Sequence, residues 1–204
     1  MLLYDFKPAP NPRRVRMFLA EKGITIPTVQ VNLTKGQHKV ADFMAKDPFL
    51  RLPLLELEDG KYLGESMAIC RYFEELHPTP PLFGRDTQER AFVEMWSRRV
   101  EFELMPSIAG AFRHGTTLGK AVEPIQIPAW AAMSRENVIK VMGIFDTILA
   151  DRQCVAGPEF SVADISLLCA VDFAANLAEV KMPDDLQNLK RWHGEVSARP
   201  SAKA

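Results

Sequence analysis

Leu52-Pro53-Leu54-Leu55-Glu56-Leu57-Glu58-Asp59-Gly60-Lys61-Tyr62-Leu63-Gly64-Glu65-Ser66-Met67-Ala68-Ile69-Cys70-Arg71-Tyr72 is the stretch that decides the fold. Residues 52–57 are a mainly apolar run of strand length. Asp59-Gly60 predicts a two-residue hairpin turn of the primed type, and Lys61-Tyr62-Leu63 returns antiparallel. Ser66 then stands as the cap of a helix from Met67 to about Leu76, with Met67, Ile69, Cys70, Phe73 and Leu76 on its apolar face.

Upstream, Leu2 to Phe6 predicts a short buried strand, and the proline-rich segment Lys7-Pro8-Ala9-Pro10-Asn11-Pro12 a turn. A helix from Arg13 to Lys22 carries Val15, Phe18 and Leu19 at helical spacing, and Gly23 stops it. Pro27 to Leu33 alternates Val29, Val31 and Leu33 with polar residues, the pattern of a half-buried strand, and Val40 to Lys46 is a short helix. Helical crossovers join parallel strands and a tight turn joins antiparallel ones. The expected unit is therefore a four-stranded mixed sheet with helices on both faces, α/β in class, over residues 1–78.

Residues 79–84 form the expected linker, opened by His77-Pro78-Thr79-Pro80-Pro81, and residues 85–204 an all-helical domain. Its first helix runs from Thr87 to about Ala111, kinked by Pro106. After a loop at 115–127 a second runs from Pro128 to Asp151. Phe160-Ser161-Val162-Ala163-Asp164-Ile165 reads as a capping box, Ser161 and Asp164 exchanging hydrogen bonds, with Phe160 and Ile165 as a hydrophobic staple. It opens a strongly apolar helix, Ile165 to Leu177, expected at the centre of the domain. A last helix spans Leu186 to Val196.

With 47% hydrophobic and 25% charged residues, the 204-residue chain sustains a packed core and is not of disordered composition. A net charge of -1 gives no reason to expect a nucleic-acid partner. No apolar run is long enough for a membrane span, and Asp5 and Lys7 interrupt the first apolar residues, so a cytoplasmic address is expected. Cys70, Cys154 and Cys169 are odd in number and widely spaced, which points away from disulfides and from a metal site. Cys154 and Cys169 read as core residues.

Three features carry chemistry. Pro53 cannot donate to a sheet ladder; a cis Leu52-Pro53 bond would turn the backbone of Leu52 toward an extended peptide ligand, and an ordinary edge-strand proline is the alternative. Ser66 opens a helix whose mouth favours a carboxylate, and Glu65 beside it suits an ammonium, together the head of an α-amino acid. A simple cap preceded by a solvated acid is the alternative. Asn11 and the nearby Arg13 or Arg14 open the first helix, where a thiolate would be stabilised; the alternative is a turn residue and a solvated basic face.

The segment Tyr4-Asp5, Pro10-Asn11-Pro12-Arg13-Arg14-Val15-Arg16 and Leu19-Ala20-Glu21-Lys22-Gly23 resembles the opening of bacterial glutathione transferases. Lys35-Gly36-Gln37-His38 is similar to the segment after the second strand of theta-like members, and the opening stretch 52–72 is the family's most specific one. Phe160 to Asp164 resembles its helical-domain cap. The likeness spans nearly the whole chain and falls nearest an atypical bacterial and fungal group without the standard catalytic side chain. It implies a thioredoxin-like domain followed by an all-helical one.

The resemblance also implies a site. Glu65 and Ser66 hold the γ-glutamyl head of glutathione, the main chain of Leu52 before Pro53 pairs with its cysteinyl backbone, and His38 and Arg51 lie near its glycyl carboxylate. Where common members place Tyr, Ser or Cys near the sulfur, this chain has neither hydroxyl nor thiol, and Tyr4 lies too early. Asn11 is the candidate donor to the thiolate; a water held by His114 or Arg113 is another. Phe6, Pro10, Phe112 and Trp130, with His114, are expected to wall an electrophile pocket between the domains. The function implied is a glutathione transferase of detoxification type, homodimeric, with glutathione as substrate and no metal. Glutathione-dependent disulfide reduction and non-catalytic glutathione binding are the alternatives.

Overall fold

The computed structural model describes residues 1–204. The chain divides into two compact units, Met1–Pro81 with Lys203–Ala204, and Leu82–Ala202. The division falls within the expected linker, residues 79–84.

In the first unit, β1 (Leu2–Asp5), α1 (Pro10–Glu21), β2 (Thr28–Gln30), α2 (Ala41–Lys46), β3 (Leu54–Glu56), β4 (Tyr62–Leu63) and α3 (Ser66–Leu76) follow in order. The sheet order is β2-β1-β3-β4, with β1 parallel to β2 and antiparallel to β3. Tyr4 and Leu54 share one face with Phe43 of α2, in a cluster with Val31 and Leu52. Leu3 and Leu55 point the other way by the strand's alternation and are buried, as are Val15 and Phe18 of α1 and Ile69 and Phe73 of α3. This is the expected mixed sheet covered on both faces.

Four local expectations are corrected. Helix α1 begins at Pro10, not Arg13: a proline in the first turn gives up an N–H that has no helical acceptor, so Pro10 and Pro12 are helical at no cost in hydrogen bonds. The hairpin loop is three residues, 58–60. Leu57 N–H donates to Lys61 O and Gly60 N–H to Leu57 O, and only Gly60, at φ +80°, is left-handed, so this is a type I turn closed by a glycine bulge, where a primed turn needs positive φ earlier. Strand β2 is shorter than expected and lies at the sheet edge, leaving Val29 42% exposed. Ser66 is the first helical residue of α3, and Glu65 is the cap.

The end of α1 follows the sequence closely. Gly23, at φ +66°, donates to Ala20 O while Ile24 N–H reaches Leu19 O, a paired C-terminal cap. The buried Lys22 Nζ pairs with Glu74 at 2.6 Å and donates to the carbonyls of His77 and Pro80, fixing the first residues beyond α3.

The second unit is helical: α4 (Thr87–Arg99), a π-helical turn (Val100–Leu104), α5 (Met105–Gly115), α6 (Pro128–Leu149), α7 (Val162–Asn176) and α8 (Gln187–Ser197). Where one helix kinked at Pro106 is expected, the structure has a π-turn that ends two residues before that proline, whose ring leaves one carbonyl of the preceding turn without its helical donor. Helix α5 continues to Gly115, past the expected end at Ala111, and packs on α6 through Gly110, where a Cβ would meet Ser134 Oγ at 2.4 Å.

Helix α7 is the central helix, almost wholly buried. The expected capping box is present, and its acid does more than cap. Asp164, fully buried, accepts from Ser161 N–H at 3.0 Å, Ser161 Oγ at 3.0 Å, Val155 N–H at 2.8 Å and Trp192 Nε1 of α8 at 3.0 Å. Burial pushes this carboxyl up, and the donors pull against it. Removing the carboxylate strands buried donors, so Asp164→Ala should destabilise the protein by about 3–5 kcal/mol. A thermal or urea melt within about 1 kcal/mol of the unsubstituted chain would contradict that role.

Candidate functional site

Three chain segments meet at one end of the sheet of the first unit. The β1–β3 register pairs Tyr4 with Leu54; continued by two residues it sets Leu52 opposite Phe6, just before α1. The β3–β4 register pairs Leu55 with Leu63, antiparallel, so that Pro53 and Glu65 both run on to the same end of the sheet, at the mouth of α3. The ladder of β3 with β1 stops at Leu54 and that with β4 at Leu55, and the N–H and C=O of Leu52 have no partner in the protein. The Leu52-Pro53 bond is cis, the first of the two readings left open for that proline.

Glu65 is held at φ 61°, ψ 113°, a region side chains rarely occupy, and its side chain is exposed. Its carbonyl accepts from Ile69 N–H at 3.0 Å, which starts the helix. Ser66 is 5% exposed, and with Ala68 it offers first-turn N–H groups without helical acceptors. A carboxylate at this mouth would meet N–H dipoles and a hydroxyl; an ammonium would meet Glu65.

The mouth of α1 differs from expectation. Pro10 and Pro12 remove two of its first three N–H groups, which leaves Asn11 as the donor there, through its backbone and its side-chain amide. Asn11 is exposed at the second helical position. Its Oδ1 accepts from Arg14 Nη1 at 3.3 Å, and the same nitrogen donates to Ser66 Oγ at 2.6 Å. The two helix mouths are thus joined through Arg14, which is buried, whereas Arg13 is partly exposed. Tyr4 is engaged elsewhere: its hydroxyl donates to Glu56 at 2.7 Å, and burial with that neighbour pushes its pKa up.

His38 lies in a 3-10 turn, Gln37–Lys39, with its Nδ1 buried and unpartnered. Burial first, then the charges of Lys39 and Arg51, hold its pKa below the usual histidine value. Arg51 exposes its side chain while its N–H donates to Asp47 Oδ2 at 2.6 Å. Phe6 packs on the Val31, Phe43, Leu52 and Leu54 cluster, and Pro10 is the first residue of α1.

In the second unit, Phe112 and His114 lie near the end of α5 and meet different partners. The His114 ring stacks on Trp130 at 5.0 Å, and its Nδ1 accepts from Ile127 N–H at 3.3 Å, so a neutral ring carries its hydrogen on Nε2. Phe112 packs on Phe173 at 5.4 Å, and Trp130 is half exposed. All three cysteines are free; Cys70 and Cys169 are buried, and burial, aided by Asp164, pushes the Cys154 thiol up to about 12. No group of three or more His, Cys, Asp or Glu is placed to hold a metal ion. No helix is long and apolar enough to cross a membrane.

Residues 9–76 match the glutathione S-transferase N-terminal domain and residues 112–200 the glutathione S-transferase C-terminal domain. Glutathione S-transferase 2 of Saccharomyces cerevisiae is 37% identical over 206 residues, covering 100% of this chain and 88% of that protein. The crystal structure of Gtt2 from the same yeast matches with a TM-score of 0.93 over 100% of this chain and 99% of that one, at 37% identity. A glutathione S-transferase domain-containing protein of Marinobacter aquaeolei VT8 matches at 0.92 with 38% identity, over 98% and 99% of the two chains. The chain belongs to the glutathione S-transferase family, with its thioredoxin-like domain followed by a helical one.

The sequence points to Arg13 or Arg14 beside the mouth of α1; what it does not show is that Arg14 is the buried one of the two and that its partner, Ser66, lies 52 positions away. The backbone of Glu65 carries a testable cost. Glu65→Gly should relieve roughly 1 kcal/mol of strain while weakening glutathione binding. A melt that falls, or a binding isotherm that is unchanged, would count against this account of the residue.

Proposed function

We propose that this chain is a glutathione transferase that binds the tripeptide at the end of the first unit's sheet and presents its thiolate to an electrophilic small molecule. The observation that carries the proposal is the convergence of unpaired Leu52 backbone, Glu65 and the mouth of α3 at Ser66, as set by the two registers of β3. Glu65 and Ser66 take the γ-glutamyl head, through an ammonium–carboxylate pair and charge-assisted hydrogen bonds. Leu52 pairs with the cysteinyl backbone as an added strand would, with Pro53 closing that segment. His38 and Arg51 take the glycyl carboxylate.

At the sulfur the enzyme supplies donors in place of a nucleophile of its own. Asn11 offers the amide that stabilises the thiolate as it forms, and positioning of the ionised sulfur accounts for the rest of the chemistry. His114 is a second candidate at this step, with a hydrogen on Nε2 to donate. Phe6 and Pro10 in the first unit, and Phe112 and Trp130 in the second, are the apolar candidates for acceptor binding. The homodimer, the cytoplasmic address and a detoxifying role belong to the same proposal, supported by family membership.

The absence of hydroxyl and thiol from Lys7 to Pro12 supports a second activity, glutathione-dependent reduction of small disulfides. Parallel assays with a chloro-dinitroaromatic acceptor and a small disulfide separate the two, and glutathione binding with neither turnover would mark a non-catalytic binder. Ser66→Ala should weaken glutathione affinity by roughly 1–3 kcal/mol in calorimetry, the worth of a hydrogen bond to a charged group. An unchanged affinity would remove Ser66 from the site.

A bound glycyl carboxylate should raise the depressed pKa of His38, so binding takes up a proton there. With S-methylglutathione, which has no free thiol, affinity should therefore tighten as pH falls from about 8 to about 6. The pH dependence should disappear in His38→Gln. A flat profile in the unsubstituted enzyme would separate His38 from the ligand.

A further inference from the structure

Arg14 is 4% exposed, yet no carboxylate pairs with it. Its Nη1 donates to Ser66 Oγ at 2.6 Å and to Asn11 Oδ1 at 3.3 Å, and its Nε is buried without a partner. A guanidinium has only donors, so whatever it binds must turn a lone pair toward it. Ser66 Oγ is therefore an acceptor inside the protein; its own hydrogen points elsewhere and meets no protein acceptor. Asn11 is turned likewise, Oδ1 inward to Arg14, which leaves its NH2 group to donate outward.

We propose that Arg14 is the positioning residue of the site. It sets Ser66 and Asn11, one on each helix mouth, with their donors toward the ligand, and it makes the grip on a carboxylate and the stabilisation of an anionic sulfur one coupled unit. The inference rests on the glutathione reading above and adds to it a ligand requirement, negative charge at both ends. An excess of buried positive charge within hydrogen-bond reach of both donors favours the thiolate form of the tripeptide over the thiol.

The test is a binding cycle with glutathione and S-methylglutathione on Asn11→Ala, Ser66→Ala and the double variant, together with Arg14→Met and Arg14→Lys. Asn11 and Ser66 share no hydrogen bond except through Arg14. The double variant should therefore lose less glutathione affinity than the product of the two single losses, by about threefold or more. Arg14→Met should bind S-methylglutathione about tenfold more weakly and lose the ultraviolet thiolate band of bound glutathione at neutral pH. Arg14→Lys, which keeps the charge without the fork, should recover part of the band.

Multiplicative losses in the cycle, or a full thiolate band in Arg14→Met, overturn the inference while leaving glutathione binding standing. An unsubstituted enzyme that binds neither ligand overturns the glutathione reading and this inference with it. The cycle leaves Arg14 in place, so it decides the matter even where the Arg14 variants fold poorly.

Discussion

The double pairing of β3 is the constraint on which the first unit depends. A strand fixed in register on both sides cannot slip by one residue without turning its buried face outward. That rigidity packs Phe6 on the cluster that holds Leu52 and directs Leu52, Pro53 and Glu65 to one end of the sheet. Residues from three segments, each unremarkable alone, are brought to one end of the sheet. The exposed backbone of Leu52, the strained Glu65 and the mouth of α3 follow from where the strands are pinned. Hydrogen bonding inside the site then does the finer work, because a buried guanidinium dictates which way its partners face.

Most of this was legible in the sequence, for identifiable reasons. Element order follows from hydrophobic period, and the capping box at Ser161 and Asp164 is a local pattern within four residues. The proposed subsite at Glu65-Ser66 is legible as a pair because an α-amino acid head calls for an acid beside a helix mouth. What the sequence hid depends on a single dihedral or on distant partners. The hairpin turn differs from expectation through which residues adopt positive φ, in the end Gly60 alone. The exposure of Val29 depends on β2 being an edge strand, which only the strand order decides. Arg13 and Arg14 read alike as cations beside the mouth of α1, and only the fold, by bringing Ser66 to Arg14, tells them apart. The demotion of Ser66 from cap to first helical residue has the same origin, because the unusual backbone at Glu65 is imposed by the surrounding structure.

The second unit solves a different problem with the same economy of polar groups. Its central helix α7 is buried nearly all round, so its first turn cannot rely on water for its free N–H groups. Leu82 O, Ser161 Oγ and Ser161 O meet that need, accepting from the N–H groups of Val162, Ala163 and Asp164. The Asp164 carboxylate in turn receives Ser161 N–H, Val155 N–H and the indole of Trp192. One carboxylate therefore ties the start of α7 to the preceding loop and to α8, and holds the helical unit in one arrangement.

The state of the cysteines has a chemical consequence of its own. A catalyst that handles soft electrophiles is exposed to alkylation by the very compounds it processes. Here Cys70 and Cys169 are shut away, and Cys154 is kept from ionising near neutral pH. Asn11, the proposed donor to the thiolate, has no nucleophilic sulfur to lose. The reactive sulfur arrives with the tripeptide and departs with the product, so the protein itself should outlast repeated encounters with reagents that would inactivate a cysteine-based enzyme.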